Sequence, residues 1–284
     1  MPSGPPRGIS DSSRRGWGPG ASEKKMARPD SMRIDINSDM GESFGAYTIG
    51  HDAGLMKSIT SANIAAGFHG GDPSVLRETI RMAKAHGVAV GAHPGYPDLV
   101  GFGRRAMAVS PKEAEDFCLY QIAAVAGVAQ AEGVRMQHVK AHGELFNVAA
   151  KDRELAMAIA RAVAAFDRSL IFFAMPRSEM LNAGKAMGLR TVTEVFADRA
   201  YEPDGSLVSR RKPGAVIHDA DAVVARAVRM ARDRSVVAID GSVIPLEADT
   251  ICVHGDTPGS DDLAARIRAG FEAAGITVKP VGQP

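Results

Sequence analysis

Cysteine is scarce in this chain: Cys118 and Cys252 are the two in 284 residues. Neither belongs to a C-x-x-C pair, which argues against a disulfide framework and a thiolate zinc site and suits a reducing cytoplasm. Aromatic residues are also few, at 5%, with one tryptophan, Trp17. Net charge is nearly absent. With 34 Lys/Arg against 33 Asp/Glu the balance is +1, which gives no electrostatic case for nucleic acid or an anionic membrane. No apolar run reaches the ~18 residues of a membrane span. No G-x-G-x-x-G follows a strand-like segment and G-x-x-x-x-G-K-[ST] is missing, so neither a dinucleotide fold nor an ATP phosphate loop is indicated.

What is present is a 45% hydrophobic chain, long enough for one large α/β domain. Residues 1–31 stand apart. They are rich in Gly, Pro, Ser and charge, lack apolar periodicity, and read as a disordered extension with Met32 as the functional beginning. Six Lys/Arg and three Asp/Glu give this stretch +3, so of the chain's +1 the other 253 residues carry −2.

After Met32, strand-like and helix-like segments alternate. Strands are expected at 33–37, 61–66, 88–92, 136–140, 170–174, 191–196, 236–239, 250–253 and 277–279. Helices are expected at 53–58, 73–86, 110–132, 152–165, 178–187, 220–232 and 260–274. The clearest helix signals are Asp72 followed by Pro73, with Gly87 as a stop, and the Ser110-Pro111…Glu113 capping box. Strict β-α alternation over about 250 residues matches a TIM-like (β/α) barrel, with a doubly wound open sheet as the runner-up.

Chemistry-bearing residues gather just after the strands. Three apolar runs end in a His–Gly turn with an acid: His69-Gly70-Gly71-Asp72, His142-Gly143-Glu144 and His254-Gly255-Asp256. Another ends in His93-Pro94. The carboxyl ends of parallel strands converge at one mouth, so these groups are expected to meet there. Alternation in Ile34-Asp35-Ile36-Asn37 turns Asp35 and Asn37 inward, where an unpaired carboxylate is costly unless it meets a ligand. Function is favoured for both, whereas Asp39 and Glu42 divide evenly between site and turn capping. Asp72 is explained as a helix cap. Lys140, inward beside the phase of His138, suggests an anion, and Glu194 interrupts an apolar strand. Asn63, Asp198, Arg210 and Asp256 border the same strand ends. Arg104 or Arg105 could meet an anion bidentately, with Arg105 chosen and at least one of the two expected to be solvated. The catalytic set is thus Asp35, His69, His93, Lys140 and His142. The binding set is Asn37, Asn63, Arg105, Glu194, Asp198, Arg210, His254 and Asp256.

Six ordered segments resemble the LamB/YcsF family, which includes the A component of bacterial ATP-dependent 5-oxoprolinase. They are IDINSDMGESFG at 34–45, SANIAAGFHGGDP at 61–73, GAHPGYPDLVGFGRR at 91–105, VKAHGELFN at 139–147, EVFADRAYEPDGSLVSR at 194–210 and CVHGDTPG at 252–259. The resemblance implies a barrel of the glycoside hydrolase/deacetylase type, with seven strands admitted alongside eight. It also implies B and C subunits as partners, a small lactam as substrate, and opening of 5-oxo-L-proline to L-glutamate. ATP is then consumed by the complex, and the missing phosphate loop leaves its binding open to the partner subunits. The chain departs from the family's pattern at Ala66, where a cysteine is common, and at Ala141, Glu144 and Phe146. These changes leave the exact lactam open and place an extra carboxylate, Glu144, near the proposed site.

Two other readings compete. One is a metal-dependent amidase or deacetylase, with His69, His93, His142, His254 and Asp35 as ligands. No H-x₃-H or H-E-x-x-H helix supports it, so no metal ligand is assigned. The other is a non-catalytic subunit that presents substrate.

Overall fold

Five of the seven barrel strands are only four residues long and almost wholly buried, Ser61–Ile64 and Ile171–Ala174 at every residue. Such strands are stable only in a parallel sheet covered by helices. The computed structural model describes Met1, Gly4, residues 32–256 and residues 259–283, and the account below concerns the unit Ser31–Pro284. The expectation of disorder for residues 1–31 lies outside the described residues.

In chain order the elements are β1 Arg33–Met40, α1 Asp52–Leu55, β2 Ser61–Ile64, α2 Pro73–His86, β3 Ala89–Ala92, α3 Pro111–Ala131, β4 Met136–Val139, α4 Gly143–Ala149 and α5 Arg153–Phe166. They continue with β5 Ile171–Ala174, α6 Glu179–Ala186, β6 Arg190–Phe196, α7 Ala220–Asp233, β7 Ser235–Val237, β8 Val243–Pro245, β9 Thr250–Val253, α8 Ser260–Ala273 and β10 Thr277–Val278. Strands β1-β2-β3-β4-β5-β6-β9 pair in parallel, and β9 returns to pair with β1, closing a seven-stranded barrel. β10 adds to the outer start of β1 through Arg33 and Ile34. The barrel expected from the alternation is therefore present, with seven strands, and the open sheet is excluded.

Local chemistry sets the helix ends. Asp72 caps α2 by accepting from the Ser74 and Val75 N–H groups, and Gly87 ends it at φ 68°. Ser110 and Glu113 form the reciprocal capping box of α3. Three expectations need correction. The segment read as a strand at 236–239 is Ser235–Val237, an antiparallel hairpin partner of β8 outside the barrel ring. The turn after Lys140 continues into α4. And β1 runs three residues past Asn37, to Met40, because β2 pairs with it as far as Met40.

Candidate functional site

The polar side chains inside the barrel form a column built on strand alternation. In β1, Asp35, Asn37 and Asp39 share the inward phase. Asp35 is lowest and almost fully buried. It accepts from the Thr60 and Ser61 hydroxyls at 2.6 and 2.7 Å, and Thr250 donates to its other oxygen. Burial pushes its carboxyl up to about 6 despite these bonds. One layer higher, Asn37 donates to Thr250 Oγ1 at 2.7 Å and accepts from Asn63 at 2.8 Å. Asn63 also donates to Asp39 Oδ1 at 2.9 Å and accepts from His138 Nε2. The His138 ring fits because Gly91 faces it: a Cβ there would lie 2.2 Å from the imidazole. Burial holds His138 down to about 3, so it is neutral.

At the next layer Lys140 is the hub. Its Nζ lies 2.7 Å from Asp39 Oδ1, 3.0 Å from Glu194 Oε1 and 3.1 Å from Cys252 Sγ. Burial opposes its charge, but Asp39, Cys252 and Glu194 outweigh burial and hold its pKa well above the ordinary lysine value. Burial likewise raises Asp39, yet His93 and Lys140 hold that carboxyl well below its usual range. Burial raises the Glu194 carboxyl and pushes the Cys252 thiol well up.

Above Lys140, four buried side chains from the ends of β1 to β4 converge. They are Glu42, His69, His93 and His142, and each can offer one atom within 4.8 Å of all the others. The His69 and His142 rings stack with centroids 3.7 Å apart, and His93 meets both edge-on. Burial lowers His69 well below its ordinary value and His142 to about 3, so both are neutral. Glu42 is pushed well up by burial and by Asp39. The loop after β3 covers this group, and Phe102, at the unfavourable φ of 55°, offers its carbonyl to His142 Nε2 at 2.8 Å.

The structure thus brings His69, His93, Lys140 and His142 together, with Asn37, Asn63 and Glu194 around them. Asp35 lies two layers below, outside that pocket, and Asp39 holds the place expected for it. Arg105 is turned away: it is exposed and pairs with Asp98. Arg104 is the arginine at the mouth, 2.9 Å from Asp256 and stacked on the Phe102 ring. His254, Asp198 and Arg210 form a neighbouring set. His254 Nδ1 lies 3.0 Å from Asp198 Oδ2, and Arg210 Nη2 lies 3.4 Å from His254 Nε2. These line a cavity of about 220 Å³ between the ends of β6 and β9 and helices α7 and α8, with Cys252 in its wall and Lys140 outside its lining. A larger depression, about 620 Å³, is an open surface feature lined by Glu144, Asn147, Val148 and residues 151–153. Glu144 belongs there, at the start of α4, and not to the buried set. Sequence reasoning turns His138 inward with Lys140, as the structure does, but misses Cys252 and Thr250 as members of the column. Cys252 is legible only by its register opposite Asn37.

The LamB/YcsF family model matches residues 34–284. The 5-oxoprolinase A subunit from Thermococcus onnurineus is 54% identical over 252 residues, covering 89% of this chain and 99% of that protein. The protein of the same name from Chloroflexus aggregans is 54% identical over 248 residues, with 87% and 98% covered. A solved structure, the lactam utilization protein from Thermus thermophilus, superposes with a TM-score of 0.84 at 47% identity, covering 87% of this chain and 99% of that one.

Proposed function

The chain belongs to the LamB/YcsF family, and on that premise we propose that it is the A component of an ATP-dependent 5-oxoprolinase. The reaction is ATP + 5-oxo-L-proline + 2 H₂O → L-glutamate + ADP + phosphate. The observation that carries this reading is Lys140, a charged ammonium held by Asp39 and Glu194 below the neutral imidazoles of His69 and His142.

A lactam carbon is a poor electrophile. Transfer of the γ-phosphoryl group to the lactam oxygen makes an imidate-like species. Water adds to its ring carbon, the C–N bond breaks as the nitrogen takes a proton, and the acyl phosphate so formed is hydrolysed by the second water to the carboxylate and phosphate. Negative charge is carried by the oxygens of the transferred phosphoryl group, and a fixed ammonium in a dry site stabilises it. Asp39, kept ionised by Lys140, accepts the proton of the attacking water. No ATP phosphate loop is present in the sequence, so ATP is assigned to partner subunits.

The test is glutamate formation by the chain reconstituted with its B and C subunits. Lys140→Met would strand Asp39 and Glu194 without a counter-charge, a change expected to unfold as much as to inactivate. Asp39→Asn leaves Lys140 paired with Glu194. It is expected to lower turnover by about two orders of magnitude while the melting temperature moves little. A reconstituted complex that makes no glutamate, or a folded Asp39→Asn variant with normal turnover, overturns the reading. Lactam opening by this chain alone, without ATP, would favour a stand-alone amidase, the reading the His/Glu group supports.

A further inference from the structure

We propose that Glu42, His69, His93 and His142 bind one divalent first-row transition-metal ion, zinc being the type. This deepens the reading of the centre as catalytic, because the ion would sit directly above Lys140.

The argument begins with protons. His93 Nδ1 lies 2.8 Å from the Lys140 carbonyl, and His142 Nε2 lies 2.8 Å from the Phe102 carbonyl. A carbonyl only accepts, so both of these nitrogens carry the hydrogen. In neutral rings His93 Nε2 and His142 Nδ1 are then bare lone pairs, yet they face each other at 3.0 Å. Two lone pairs at that distance call for a cation between or beside them, a proton or a metal ion, and the other two members of the group decide for the metal. The bonds that fix the two rings are the outer contacts metal-ligating histidines commonly make to backbone carbonyls.

The other two members point the same way. Both His69 nitrogens and Glu42 Oε1 are buried without a hydrogen-bond partner, although buried polar atoms are rarely left so. His69 Nε2 and His142 Nδ1 lie 3.3 and 3.4 Å from Glu42 Oε1. Four ligands at ~2.1 Å around a tetrahedral ion stand ~3.4 Å apart, close to these spacings. His69 is boxed in, since a Cβ on Gly95 would meet its Nδ1 at 2.5 Å and one on Gly103 its Cβ at 2.8 Å. Its free nitrogen toward the centre is therefore Nε2. Three imidazoles and one carboxylate suit zinc and its neighbours better than magnesium or calcium, which take all-oxygen sets. The ligands come from four loops far apart in sequence, which is why no short motif announces them. Asp39 Oδ1, 3.3 Å from His93 Nε2, is engaged by Lys140 and is left out of the ligand set.

The purified chain, stripped with a chelator, is titrated with cobalt(II) and with zinc. Uptake is followed by the visible absorption of cobalt and by metal analysis. One equivalent per chain is expected, with cobalt affinity falling about 100-fold or more in His93→Gln and in His142→Gln. Circular dichroism shows whether each variant is folded. Glu42→Gln, which keeps the shape and one oxygen, gives a third reading should a histidine variant unfold. Folded wild-type chain that takes up neither ion overturns the proposal and leaves a shared proton between the rings. Uptake unchanged in the folded variants overturns it as well. Binding is read on this chain alone, so a complex that opens no lactam leaves the ion site standing, and an ion-free chain leaves the lactam reading standing.

Discussion

Asp35 keeps three hydroxyl donors and still cannot hold its charge easily. Burial dominates, the nearby Glu194 adds to it, and the carboxyl rises from 3.8 to about 6. Between those values the unfolded chain is ionised while the fold keeps the proton. The stabilising contribution is thus complete below about 3.8 and is lost as pH rises through about 6. Two units correspond to roughly 3 kcal/mol. Asp35→Asn removes this loss, since its oxygen can accept from Thr60 and Ser61 and its amide can donate to Thr250. The variant is expected to gain stability relative to wild type by roughly 3 kcal/mol between pH 4 and pH 7.5. Urea denaturation at the two pH values measures this, and a difference independent of pH would show that the carboxyl is unperturbed. The same residue shows what sequence can and cannot tell. Alternation correctly turns Asp35, Asn37 and Asp39 to one face. What it lacks is the depth. A strand read as ending at Asn37 puts Asp35 near the mouth, but pairing with β2 extends it to Met40 and gives the mouth to Asp39.

At the scale of elements, caps are the most legible feature, because a cap is a local arrangement of one side chain and the three or four residues that follow it. Asp72, Ser110 and Glu113 do what their spacing implies. Less legible is what depends on a neighbouring strand. In sequence, Gly91 in β3 is one more strand-end glycine, but its function is to make room for a ring on β4. Adding a methyl group at Gly91 places it 2.2 Å from His138, in a layer also fixed by Asn63. Gly91→Ala is expected to cost about 1–3 kcal/mol, the range for overpacking a core. Adding His138→Ala should return part of that loss, because the clashing ring is gone. Chemical denaturation of the single and double variants reads the coupling, and strictly additive losses would mean that the contact is not the cause. The β7–β8 hairpin reads as a strand of the alternation because Val236-Val237 is apolar. Only its antiparallel partner at Val243–Pro245 shows that it lies outside the ring.

For the whole molecule, closure is the governing fact. β9 pairs on both sides and seals the barrel, so the buried set is reached only from the mouth, and the loop after β3 lies over it. That loop is tied down at a few points. The Glu144 amide donates to Gly103, the His142 amide donates to Pro94, and Arg104 bridges to Asp256 beyond β9. His69, His93 and His142 are almost completely buried beneath it, so any ligand of this set must displace part of the cover to arrive. Arg104 holds the cover from the side opposite its chain connections. A half-exposed ion pair of this kind contributes at most about 1 kcal/mol. Arg104→Ala should therefore leave global stability almost unchanged. Locally the same energy is large, because partial opening is governed by the few contacts that close the loop. Amide exchange across 98–105 is expected to quicken by a factor of about 5, the factor that corresponds to about 1 kcal/mol, while exchange in β1, β2 and β4 stays at the wild-type rate. Hydrogen–deuterium exchange read by mass spectrometry resolves the two regions. Equal quickening in loop and strands would mean that Arg104 supports the barrel itself. No quickening in either would mean that the cover is held by its backbone bonds alone.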